Sequence, residues 1–185
     1  MKKSIIIIAI WSLFSGLNAQ TMKQIFQTLP DTILPSLTKN DRLDLIDLIE
    51  NNMQNEVTNQ LKGKSRMTLL TPNLIKIRLS ELVEVQLCKL PTPTSYFICY
   101  IHSVKTDTWD STIRFYNPDW TLVANQQTLF TNAQPSPDFQ HLDFNDDTTL
   151  TRTSSNFKSE SGQLSLESKG STTVHWDSTQ SRFVR

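Results

Sequence analysis

The stretch from Leu37 to Glu81, LTKNDRLDLIDLIENNMQNEVTNQLKGKSRMTLLTPNLIKIRLSE, changes its apolar period part-way along, from helical to alternating. Few architectures accommodate that change: one apolar helix stripe must lie over short strands that follow it. Thr38-Lys39-Asn40-Asp41 reads as a capping box, with an acid at the positive end of the helix. At about 100° per residue, Leu45, Ile46, Ile49 and Met53 share one face, while Asp44, Asp47, Asn51 and Gln54 lie opposite. The spacing continues through Val57 and Leu61. The helix is therefore expected to close at Gly63 as a left-handed cap, near the cations Lys62, Lys64 and Arg66.

From Ser65 the alternation takes over. Met67, Leu69 and Thr71 form one run, Ile75, Ile77 and Leu79 the next, and Val83, Val85 and Leu87 a third, with Pro72-Asn73 as a turn. Tyr96 to Ile101 is apolar on both faces, which marks a central strand. Thr112 to Tyr116 alternates again before the turn Asn117-Pro118-Asp119 and Trp120. Residues 124–141 are rich in Gln, Thr and Pro and read as loop, with one helical turn near Phe139. Weaker strands follow at Thr148–Thr153, Gln163–Glu167, Thr172–Trp176 and Arg182–Val184. Leu150, Leu164, Leu166, Val174, Trp176 and Phe183 are their expected inward set. The expected class is α+β: N-terminal helices covering an antiparallel β meander, followed by a smaller β-rich C-terminal part.

Ahead of the main helix, Met22 to Leu29 reads as a short helix stopped by Pro30, with Ile25, Phe26, Leu29, Ile33 and Leu34 laid over the core. Residues 1–19 carry a different message. Met1-Lys2-Lys3 is a charged start, Ile5 to Leu17 an apolar run, and Ala19 before Gln20 a small residue at a cleavage point. The apolar run is short for a bilayer span. These residues are expected to be a signal peptide cut between Ala19 and Gln20, with no transmembrane segment afterwards. Residues 20–130 are then a helix-plus-sheet subdomain, and 131–185 a β-rich subdomain packed on it.

Charge narrows the partners. Lys and Arg total 18 and so do Asp and Glu; Lys2 and Lys3 would leave with the signal peptide, so the remainder is slightly acidic. Nothing in that balance, and no basic run, draws the chain to nucleic acid. The two cysteines, Cys88 and Cys99, sit on neighbouring β-type runs joined by Pro91-Thr92-Pro93-Thr94. Antiparallel register places them opposite each other. An exported chain could bridge them; the other reading is two small apolar residues in a sheet core.

Chemistry-bearing motifs are sparse. Gly63-Lys64-Ser65 lacks the glycine five positions earlier that a phosphate loop requires, since Thr58 stands there. Asp143, Asn145 and Asp147 match alternate ligand positions of a calcium loop, but Thr148 replaces its glycine and Ser154 its glutamate. No metal ligand set is assigned from them, because an acidic turn entering a strand is the commoner meaning of such a run. Asp44, Asp47 and Glu50 read as a wet helix face rather than paired catalytic carboxylates. His102, His141 and His175 lack the spacing of a helical metal pair. Trp109, Trp120 and Trp176 are candidates for a sugar-stacking surface, Trp109 being the one expected to be exposed. No G-x-S-x-G elbow is present.

Three segments carry a family resemblance: Leu37 to Glu81, STIRFYNPDW from Ser111, and VHWDSTQSRFV from Val174. Together they resemble a Bacteroidales protein family defined only as domain of unknown function 3256. The resemblance implies a small exported protein of a Gram-negative envelope, periplasmic or envelope-associated, and it brings no catalytic residues or cofactor. The expected function is a non-catalytic binding or scaffold protein, whose partner is an envelope protein, a glycan or a lipid. The alternatives are a small periplasmic hydrolase built from strand-end Ser, His and Asp residues, or a cation- or sugar-binding module.

Overall fold

The computed structural model describes residues 20–130, 138–160 and 163–185. The expected signal peptide, with Ala19, lies outside them. Two antiparallel sheets dominate, with few helices. Helix α1 spans Met22–Gln27 and α2 Lys39–Glu50. The first sheet holds β1 (Val57–Thr58), β2 (Lys64–Leu70), β3 (Leu74–Ser80), β4 (Val83–Pro91), β5 (Tyr96–Lys105) and β6 (Trp109–Tyr116) in sequence order. The second holds β7 (Phe139–Phe144), β8 (Thr149–Glu160), β9 (Gln163–Asp177) and β10 (Arg182–Val184), ordered β10-β9-β8-β7.

The centre of the first sheet is buried on both faces, which is why β4 and β5 carry long apolar runs. Val85, Leu87, Ile98 and Tyr100 join a cluster with Met22, Phe26, Leu45 and Ile46 of the helices. Cys88, Leu90, Cys99 and Ile101 point the other way, into a cluster with Phe144, Leu150, Trp176 and Phe183 of the second sheet. Polar side chains lock that second contact. Buried Gln86 donates to the Leu142 carbonyl at 3.3 Å and accepts from the Phe144 amide at 3.0 Å, so it completes a strand edge with a side chain. Lys76 pairs with Asp143 at 2.6 Å, and the Trp176 indole donates to the Pro91 carbonyl at 2.6 Å.

Thr38 caps α2 as expected, its hydroxyl accepting from the Asp41 amide while the Asp41 carboxylate accepts from the Thr38 amide. The helix does not reach Gly63. It stops at Glu50, where the Asn51 side chain donates back to the Asp47 carbonyl at 2.9 Å and Asn52 turns left-handed at φ 53°. Val57 belongs to β1 and pairs with Ser65, so its helical spacing was coincidental. Met53 is exposed, against the expectation. The left-handed residue near Gly63 is Lys62 at φ 64°. Gly63 is needed for space: a Cβ there would sit 3.3 Å from the Asn59 amide nitrogen.

Arg182–Val184 is a strand as expected, but the three expected strands before it are parts of one long hairpin, β8 and β9, with a bulge at Ser154/Ser155 where Gly170 adopts φ 109°. Leu150, Val174, Trp176 and Phe183 are inward, but Leu166 is exposed opposite the exposed Phe157; the Leu164 side chain lies outside the described residues. Phe139 opens β7 rather than a helical turn, and the short helical turn of this region is instead at Gln126–Thr128.

A candidate ligand cavity under the 30–37 segment

A guanidinium fixes the first wall of a cavity on the helix side of the sheet. Arg42 of α2 is only 2 % exposed. Its Nη1 donates to the Leu37 carbonyl (2.7 Å) and Asp31 (2.8 Å), and its Nη2 to the Leu29 carbonyl (2.7 Å). The chain from Leu29 to Leu37 is thereby held in an arc whose inner side presents Ile33, Leu34, Pro35 and Ser36. Asn59 fixes the second wall. Its amide donates to Ser65 Oγ (2.9 Å) and the Leu79 carbonyl (3.0 Å), and its oxygen accepts from Leu61 and Gly63 amides at 3.0 Å. The Gln60 amide donates to the Ser36 carbonyl at 2.9 Å and ties the two walls. The floor is the sheet: Leu79 and Ser80 of β3, Val83 of β4, and Tyr100 and His102 of β5.

These walls enclose about 480 Å³, lined mostly by apolar surface. Of its five polar lining residues, Ser36, Asn59, Ser80, Tyr100 and His102, three set its character. Ser36 is 8 % exposed and its hydroxyl has no hydrogen-bond partner. Tyr100 is pushed up to about 12 by burial and by the neighbouring Tyr116, with Arg114 pulling the other way. His102 is pushed down by burial and by the Arg114 cation. At neutral pH the floor therefore presents a phenol O–H and a neutral imidazole, and no acidic residue lines the cavity. Ser36 and His102 share the space without a hydrogen bond between them. Leu61 stands at the mouth, 80 % exposed.

Of the chemistry-bearing candidates read from sequence, only Gly63 and His102 line this cavity. Asp143 pairs with Lys76, the Asn145 amide donates to Thr151 Oγ1 at 2.7 Å, and Asp147 accepts from the Asn73 amide at 2.8 Å. Each has its own partner within the protein. Among the described residues no group of three His, Cys, Asp or Glu side chains is placed to hold a metal. His141 stacks on Trp109 with ring centres 5.3 Å apart, and His175 meets Thr149 Oγ1 at 3.2 Å. The tryptophans are likewise separated: Trp109 is half-buried on β6, Trp120 packs on Tyr116, and Trp176 is in the inter-sheet core. Cys88 and Cys99 are direct cross-strand partners, buried as free thiols and raised well above the usual thiol range by burial. On α2, Glu50 pairs with Lys23 at 2.7 Å, and Asp47 accepts from Asn51. The cavity itself had no sequence motif, because its members come from four separate stretches.

No helix among the described residues is long and apolar enough to cross a membrane. No curated protein matches the chain. A solved structure, a domain of an uncharacterized protein from Porphyromonas gingivalis W83, is similar with a TM-score of 0.68 at 21% identity. The match covers 89% of this chain and 96% of that one, and it establishes the shared fold. Residues 14–179 match the family described as "Protein of unknown function (DUF3256)", and the chain belongs to that family.

Proposed function

We propose that this chain is an exported, non-catalytic binding protein of a bacterial envelope, and that it holds a small, mainly apolar ligand in the cavity beneath the Ile33–Ser36 segment. The observation that carries the reading is the cavity itself, of about 480 Å³ with apolar walls and a few inward polar groups. That is the size and lining of small-molecule sites. The unpaired Ser36 hydroxyl has no base bonded to it, which favours holding a ligand over attacking one. In this reading the N-terminal helices act as a cover on the meander, residues 20–130 carry the ligand, and 131–185 brace the far face. Export is supported by the charged start, apolar run and Ala19-Gln20 junction. A setting in Bacteroidales is supported by the structural neighbour, which comes from a member of that order.

The test is the thermal midpoint of the purified protein against simple alkyl amphiphiles, glycans, divalent cations and chelator. A ligand of the folded state at a hundredfold excess over its Kd adds about 2.7 kcal/mol of stability. Amphiphiles should raise the midpoint, and Val83→Trp, which fills the floor, should abolish the rise. No response from amphiphiles, or a response unchanged by Val83→Trp, would end the cavity reading.

A further inference from the structure

We propose that the cavity is built for a single-chain monocarboxylate, with the carboxylate received by Ser36, Tyr100 and His102 beside Arg114. The inference rests on the cavity being a ligand site and adds the chemistry of the ligand's head. Three observations support it. Ser36 Oγ is buried, lines the cavity and has spent none of its hydrogen-bonding capacity inside the protein. A hydroxyl in that position loses its water without a replacement, a cost that an acceptor from the ligand would offset. Tyr100 and His102 are two apart on β5, so they stand side by side on the same face, roughly 7 Å apart along the strand.

The third observation is the sign of the field. Arg114 is the cross-strand partner of Tyr100, and its positive charge acts on both Tyr100 and His102. Three donors in the lining, a cation on the neighbouring strand and no carboxylate in the lining make this end of the cavity attractive to an anion. An ammonium head would meet Arg114 unfavourably. An alcohol would satisfy Ser36 but gain nothing from the charge. The remaining walls, Ile33, Leu34, Leu79 and Val83 with Leu61 at the mouth, are apolar and suit an alkyl tail.

The experiment compares sodium dodecanoate, kept below its micelle threshold, with 1-dodecanol and methyl dodecanoate by titration calorimetry at pH 7. Binding to the purified protein and to Arg114→Gln is measured; Arg114 is exposed, so the variant should fold normally, as its thermal midpoint will report. Dodecanoate should bind about tenfold more tightly than either neutral analogue, the factor expected of one charge-assisted contact. Arg114→Gln should remove that preference and leave dodecanol affinity unchanged. Equal binding of all three probes overturns the head-group assignment but leaves the apolar cavity standing. A preference that survives both Arg114→Gln and Tyr100→Phe overturns it too. If none of the three binds, the assignment and the cavity reading fall together.

Discussion

The two faces of the six-stranded sheet are finished differently. Toward the second sheet, Phe183 meets Phe115, Phe130, Phe144 and Trp176 with ring centres 5.1–6.4 Å apart, Gln86 bonds the Leu142 and Phe144 backbone, and Ser103 bonds Ser111. Toward the helices, the apolar cluster is interrupted by a cavity lined in part by Ser36, whose hydroxyl has no partner. A chain selected for stability alone would close both faces alike, since voids and orphaned hydroxyls each lower stability. The contrast separates a bracing face from a face left open for occupancy.

The strongest way to break that comparison is to delete one buried apolar side chain on each side. Phe183→Ala should cost about 3–5 kcal/mol, because a ring fully enclosed by other rings leaves a void that rigid neighbours cannot fill. Leu34→Ala should fall toward the low end of the leucine range, about 2 kcal/mol, because part of the side chain already faces open space. Urea unfolding measures both, and equal losses would mean that the two faces are packed alike.

A middle-sized effect is read through alkali. Tyr100 has its folded pKa raised to about 12 from 10.0, so the folded state resists ionisation that the unfolded chain undergoes freely. The associated stability is whole below pH 10 and is lost as pH climbs from there to about 12, by roughly 2–3 kcal/mol. Tyr100→Phe should flatten that part of the curve. A variant that keeps the same alkaline slope would place Tyr100 in contact with water instead. The smallest effect sharpens the comparison most. Ser36→Ala should stabilise the free protein by about 0.5–1 kcal/mol, since it removes a buried hydroxyl that bonds to nothing. Destabilisation would show that Ser36 already has a structural partner.

Much of the first sheet could be read in advance because its signals are local. Thr38 and Asp41 cap α2 from within one turn, and the alternation of β3 and β4 is set by residues in direct succession. The opposition of Cys88 and Cys99 followed from turn length alone. Where one local signal misleads, a competing one stands beside it. Val57 and Leu61 kept helical spacing by chance, while the Asn51-Asn52 pair supplied the stop. In β8 and β9 Ser and Thr dilute the alternation, and cross-strand hydroxyl pairs such as Thr151 with Thr173 at 3.3 Å take the place of apolar contacts. The cavity was out of reach because Ser36, Asn59, Val83 and Tyr100 converge only after the sheet has formed. Arg42 gave no sign either: an arginine on an amphipathic helix ordinarily reads as solvent-facing.

Every strand in both sheets pairs with its neighbour in sequence. Short closures cost little chain entropy and place this protein toward the rapid end of antiparallel folding. The pairing of β1 to β6 requires nothing beyond Tyr116, yet their Cys88, Ile101 and Phe115 side has no cover until β7 to β10 arrive. A chain delivered N-terminus first thus passes through a stage with a bare, adhesive flank, at which self-association competes with completion. Pulsed hydrogen exchange during refolding should find β3 to β5 protected before β8 and β9; simultaneous protection would rule that sequence of events out.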